Sequence, residues 1–179
     1  MARRTITTYL ASLALFAGCG GGGGGGGAPP GPSFSIADGQ VTEGDAGQVL
    51  MVFTVTLAPA ADATVTFSTA SGTATSALDF VAQTNTLTFD AVTPTRTISI
   101  AVLGDALDEA DETFQVTLSG ATSGVSIADG SANGTILDDD PLPLLSIGDA
   151  TIAEGNTGTS AATLAVTLAP ASGRTVTVG

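Results

Sequence analysis

The sequence predicts an all-β protein: a two-sheet sandwich of about seven antiparallel strands, followed by an incomplete second copy of the same unit. Three observations predict it. From Phe34 onward apolar residues alternate with Thr, Ser, Ala and Gln at a period of two, the signature of strands with one buried face. No segment carries a helical period. Residues 34–68 recur without a gap at 145–179, with 15 of 35 positions identical, which is too many for shared β composition alone.

Residues 1–18 begin with Arg3 and Arg4, continue through an apolar centre from Tyr9 to Ala17, and end in small residues before Cys19. That is a secretory signal pattern, too short to span a bilayer as a mature helix. Phe16-Ala17-Gly18-Cys19 resembles the bacterial lipobox, in which cleavage precedes the Cys and its sulfur receives a diacylglycerol. The resemblance implies lipidation at Cys19, membrane attachment through it, and an exported lipoprotein of the bacterial outer membrane or cell surface, on its periplasmic or extracellular face. Residues 19–33 then form a Gly/Pro-rich linker, with eight consecutive glycines from Gly20 to Gly27. Polyglycine has no side chains to pack and behaves as a flexible tether. It is no phosphate-binding loop, since neither a following Lys-Ser/Thr nor a strand-to-helix context is present.

The strand faces follow in order. Val49, Met51, Phe53, Val55 and Leu57 share one side, as do Val65 and Phe67, and Leu87 and Phe89. Ile98, Ile100 and Val102 form the next, then Phe114, Val116 and Leu118. The first module therefore covers residues 34–140, and 141–144, with Pro141 and Pro143, is a short stiff joint. In the repeat, Glu43-Gly44 returns as Glu154-Gly155, and Val55-Thr-Leu-Ala-Pro-Ala60 as Val166-Thr-Leu-Ala-Pro-Ala171. Residues 145–179 are thus expected to be the N-terminal part of a truncated second module, too short to enclose a core alone.

Charge points to function. The 179 residues carry 17 acids and four basic residues, a net charge of −13, with no His and one Cys. Such a surface excludes nucleic acid, whose phosphates demand Lys and Arg, and it lacks the usual ligands for zinc and haem. Five carboxylates crowd the stretch from Asp105 to Glu112, between two alternating runs, so they sit on the loop joining two strands. Asp138-Asp139-Asp140 closes the next strand. Like charges this close repel, and the leading candidate to offset them is a metal cation. Several loop carboxylates together suit calcium, which takes six to eight oxygens in flexible geometry, better than magnesium, which wants a tighter octahedron and keeps its water.

Val41-Thr-Glu43-Gly44, Gly72-Thr-Ala-Thr-Ser-Ala-Leu-Asp79-Phe80, the acidic loop Gly104–Phe114 and Gly134-Thr-Ile-Leu-Asp-Asp-Asp140 together resemble the Calx-beta domain, a module of sodium–calcium exchangers and of many bacterial surface proteins. The resemblance covers the first module and the opening third of the second. It implies an immunoglobulin-like sandwich with calcium bound at one end by loop carboxylates. Carried over by position, the metal ligands are Glu43, Asp79, Asp105, Glu109, Glu112, Asp138, Asp139 and Asp140. Where the exchanger version has a run of aspartates, this chain has Gly104-Asp105-Ala106, which implies fewer ions or weaker binding.

The expected function is accordingly a calcium-binding extracytoplasmic module with a structural or adhesive role, its partner another surface protein or a glycan. The alternative is a metal-independent spacer presenting a downstream domain. A glycan hydrolase built on a pair such as Glu109 and Glu112 stands third, because glycan sites bring aromatic platforms and the eight aromatics here fall mostly on core-facing strand positions. An EF-hand reading of 129–140 fails because that loop needs a helix on each side.

Overall fold

The computed structural model describes residues 30–179; the signal segment, Cys19 and all eight glycines of the tether lie outside the described residues. Among the described residues, nine strands precede Pro141: β1 (Ser33–Ile36), β2 (Gly39–Thr42), β3 (Gly47–Ala58), β4 (Ala63–Ser71), β5 (Thr84–Phe89), β6 (Thr95–Gly104), β7 (Glu112–Ser119), β8 (Ser126–Ile127) and β9 (Ser131–Leu137). They form two sheets, β6-β3-β1-β8 and β2-β9-β7-β4-β5. Facing sheets bury the alternating apolar positions: Phe34, Met51, Phe53, Val55, Leu57, Val65, Phe67, Ile98, Ile100, Val102, Phe114 and Val116 all lie in one core. Phe114 stacks on Phe80 with ring centroids 4.3 Å apart and meets Phe53 edge-on at 5.9 Å, geometries that aromatic quadrupoles favour.

The sandwich differs from expectation in two respects. It has nine strands rather than about seven, because the first segment switches sheets: β1 lies beside β3, and after Ala37-Asp38 the chain continues as β2 in the opposite sheet. It is also not purely antiparallel, since β1 pairs with β8 and β2 with β9 in parallel. A period of two specifies which face is buried but not which neighbour a strand takes, so neither feature leaves a mark in the hydrophobic pattern.

Two further strands, β10 (Leu144–Ile147) and β11 (Val166–Ala169), pair with each other and, among the described residues, with no other strand. Their register, Leu145 opposite Leu168 and Ile147 opposite Val166, reproduces that of β1 and β3, where Phe34 faces Leu57 and Ile36 faces Val55.

Candidate metal centre

Strand direction delivers the acids to one pole. β2 and β9 run parallel with Thr42 opposite Leu137, so the residues that follow, Glu43 and Asp138, emerge side by side. The ladder continues one step, Glu43 N–H donating to the Leu137 carbonyl at 3.2 Å. β7 starts where β9 ends, Glu112 lying opposite Ile136. β3 likewise starts where β6 ends, at the Gly47–Gly104 pair. Loops 43–46, 72–83, 105–111 and 138–140 therefore share this end. The acidic loop itself crosses from one sheet to the other, because β6 and β7 belong to different sheets.

Within that pole the carboxylates form two groups. Glu43, Asp138 and Asp140 each place one oxygen so that the three lie within 4.8 Å of one another; Asp79, Glu109 and Glu112 do the same. Metal–oxygen bonds of roughly 2.3–2.6 Å place opposite ligands of calcium about 5 Å apart, so either trio can close on one ion. Asp140 is buried, and its Oδ2 has no hydrogen-bond partner among the described residues. A buried carboxylate oxygen without a donor is costly unless a cation satisfies it. The donor set therefore fits calcium, with backbone carbonyls and water left to complete its shell.

Electrostatics bears out the crowding. Burial, then the charges of Asp105, Asp138, Glu109 and Asp140, push Glu43 up to about 7. Burial, then a hydrogen bond and repulsion from Asp79, push Glu112 up to about 7 as well. Glu109 is raised by burial and by Asp105, Asp79 and Asp138, with Arg174 pulling the other way. Asp140 is raised by burial and by Asp45, Asp138 and Asp139. Since Glu43 and Glu109 feel one another, the two trios belong to one continuous field.

The remaining acids hold backbone. Asp139 Oδ1 accepts from Gly44 N–H at 3.0 Å, Asp105 Oδ1 from Leu107 N–H at 2.8 Å, and Asp111 Oδ1 from Asp138 N–H at 3.2 Å. Asp138 Oδ1 accepts from Glu109 N–H at 3.1 Å, and Asp79 Oδ2 from Thr75 N–H at 2.5 Å, while each also faces its own trio. Of the eight acids expected to be ligands, six gather in the two trios; Asp105 and Asp139 stand beside them, engaged with amides.

Sequence reasoning missed a cation at this pole. Asp108, one of the five carboxylates on the acidic loop, is only 3% exposed. Its carboxylate takes Arg174 at 3.4 Å and the Ser172 hydroxyl at 2.9 Å, its carbonyl accepts Gly173 N–H at 3.1 Å, and Arg174 also donates to the Glu109 carbonyl. The turn after β11 thus sits on the acidic loop. The only available signal was composition: with so few basic residues, each one is worth tracing.

Comparison with known proteins now decides the family. The Calx-beta domain model matches residues 31–140, more than half of the chain. The chain belongs to the Calx-beta domain family. Among solved structures, the apo form of the Calx CBD1 domain is 25% identical with a TM-score of 0.54, the match covering 62% of this chain and 100% of that one. A structure described as the calcium binding domain CBD12 of CALX1.1 is 26% identical with a TM-score of 0.51, over 60% of this chain and 44% of that one. The Calx CBD2 domain, at 15% identity and a TM-score of 0.52 over 63% of this chain and 91% of that one, shares the fold. No curated protein matches the chain. The Calx-beta sandwich accordingly spans β1–β9, and both carboxylate trios lie inside the matched region.

Proposed function

We propose that this Calx-beta chain is a calcium-binding, non-catalytic module of an exported protein tethered to the membrane through lipidated Cys19, in which calcium stiffens the loop pole and its joint to a following repeat. One observation carries the reading: two trios of carboxylate oxygens at one pole, each within 4.8 Å, one of them holding a buried oxygen with no hydrogen-bond partner among the described residues. The relative described as a calcium binding domain supports the choice of ion. Glu43, Asp138 and Asp140 would hold one ion and Asp79, Glu109 and Glu112 another, with Asp105 and Asp139 shaping the nest. Residues 145–179 act as the opening of a second module, and the contact of Arg174 with Asp108 is the joint. The role is structural or adhesive, toward another surface protein or a glycan.

Thermal melts with millimolar calcium chloride and then with EDTA test it. Calcium should raise the Tm and EDTA should reverse the rise; identical melts in both conditions would remove the metal from the account. A second reading, the metal-independent spacer, draws on Arg174, which already supplies a positive charge to the acidic loop. It predicts that Arg174→Ala loosens the joint as much with calcium as without. The calcium reading predicts that the metal restores most of the lost rigidity.

A further inference from the structure

Two glycines lie where separate segments of the chain pass unusually close, one beside each carboxylate trio. Gly104 ends β6. A methyl group on it would collide with the carbonyl oxygen of Gly44 and come within 2.7 Å of that of Glu43. Both obstacles are backbone, so neither can swing aside. The 43–44 segment is also fastened by the Asp139 carboxylate, which accepts Gly44 N–H at 3.0 Å, and by the Glu43–Leu137 ladder step at 3.2 Å. Glu43 is therefore seated against β6 only because residue 104 has no side chain.

Gly72 plays the same part for the other trio. A methyl group there would lie 2.5 Å from the Thr113 carbonyl oxygen and 3.3 Å from its carbon, again backbone. The turn it begins is fastened to Thr113 by Ala74 N–H to the Thr113 carbonyl at 2.9 Å and by Thr113 N–H to the Thr73 hydroxyl at 2.7 Å. Thr113 directly follows Glu112. At the other end of the turn, the Asp79 carboxylate is tied to Thr75 N–H, and the Asp79 carbonyl accepts Leu103 N–H at 2.9 Å. Close approach at Gly72 therefore sets how near Asp79 comes to Glu112.

We propose that Gly104 and Gly72 are positioning residues, Gly104 chiefly for the Glu43–Asp138–Asp140 trio and Gly72 chiefly for the Asp79–Glu109–Glu112 trio, so that each ion site can be weakened without altering any carboxylate. The inference rests on the calcium reading above. Supporting groups of this kind change metal affinity by about 10- to 100-fold when altered.

The test is calorimetric titration of the whole chain with calcium chloride, in wild type, Gly104→Ala and Gly72→Ala, with Glu43→Gln and Glu112→Gln as references for each trio. Gly104→Ala should reproduce the isotherm of Glu43→Gln, and Gly72→Ala that of Glu112→Gln, each losing about 10-fold or more at one site while keeping the other. Should either alanine variant fail to fold, wild-type amide NMR during the same titration carries the question. The Gly104 amide should track the site lost in Glu43→Gln, and the Gly72 amide the site lost in Glu112→Gln. Calcium uptake by wild type, with both alanine variants unchanged, both losing the same site, or both amides tracking one site, overturns the inference. No uptake by wild type overturns the calcium reading itself.

Discussion

The β1–β3 and β10–β11 pairs share a register, strand for strand, yet lead opposite lives. Phe34 and Leu57 are both 0% exposed, while their counterparts Leu145 and Leu168 are 45% and 37% exposed. The same pairing is thus made by local sequence in both places, through repeated Val-Thr-Leu-Ala-Pro-Ala segments and short antiparallel partners. What differs is the cover. Over β1 and β3 lies the second sheet, whose Val65, Phe67, Phe114 and Val116 complete the core. Strand pairing in this chain is a local property, and burial is a property of the whole sandwich.

Core truncations at matched positions should separate the two pairs most. Phe34→Ala should cost about 3–5 kcal/mol in urea unfolding, whereas Leu145→Ala should stay within about 0.5 kcal/mol, because only the first removes packed atoms. Equal losses would show that β10 is covered as well as β1.

Of the two strand pairs, calcium should steady only the first, and beyond the sandwich only the joint where Arg174 meets Asp108. At a calcium concentration of 100 times Kd, each site adds about 2.7 kcal/mol to the stability of the sandwich. Hydrogen exchange should slow at loops 43–46 and 105–111 and stay unchanged at β10.

A smaller effect comes from pH. Glu43 and Glu112 titrate near 7 in the fold, against an ordinary 4.5. The native state therefore holds more protons than the unfolded chain between those values, and stability falls as pH rises through them. In EDTA the Tm should drop by about 5 °C from pH 5 to pH 7.5, a figure reduced by solvent screening of these half-exposed groups. Calcium, which competes with those protons, should flatten the slope; a Tm that climbs with pH in EDTA contradicts the burial and repulsion described for both residues.

Smallest is the joint. Arg174→Ala should speed exchange of the Gly173 amide by about fivefold, equivalent to roughly 1 kcal/mol of local opening, and leave β3 and β6 untouched. An unchanged Gly173 amide would mean that Ser172 alone holds the turn.

Much of the fold was legible because alternation is a strong signal. Met51, Phe53, Val55 and Leu57 could be placed on one face from the sequence, and all are buried. The turn of the chain at Ala37-Asp38 and the parallel neighbours of β1 and β2 were not legible, since they depend on which strand lies alongside. At the candidate site, the crowding of acids was plain, but its division of labour was not. Asp138 and Asp139 are adjacent in sequence, yet one joins a trio and the other accepts Gly44 N–H. That distinction follows from the direction in which each leaves β9. Asp108 meets Arg174 across 66 residues of chain, a partnership that only the three-dimensional arrangement creates.

The most direct measurement is the calcium stoichiometry of the purified chain by calorimetry at pH 7.5, repeated with Glu43→Gln and Glu112→Gln together. Wild type should take up about two ions, one for each trio, and the double variant should lose heat at both sites. Heat of uptake that persists undiminished in the double variant, or none in wild type, contradicts an account in which these six carboxylates hold the metal.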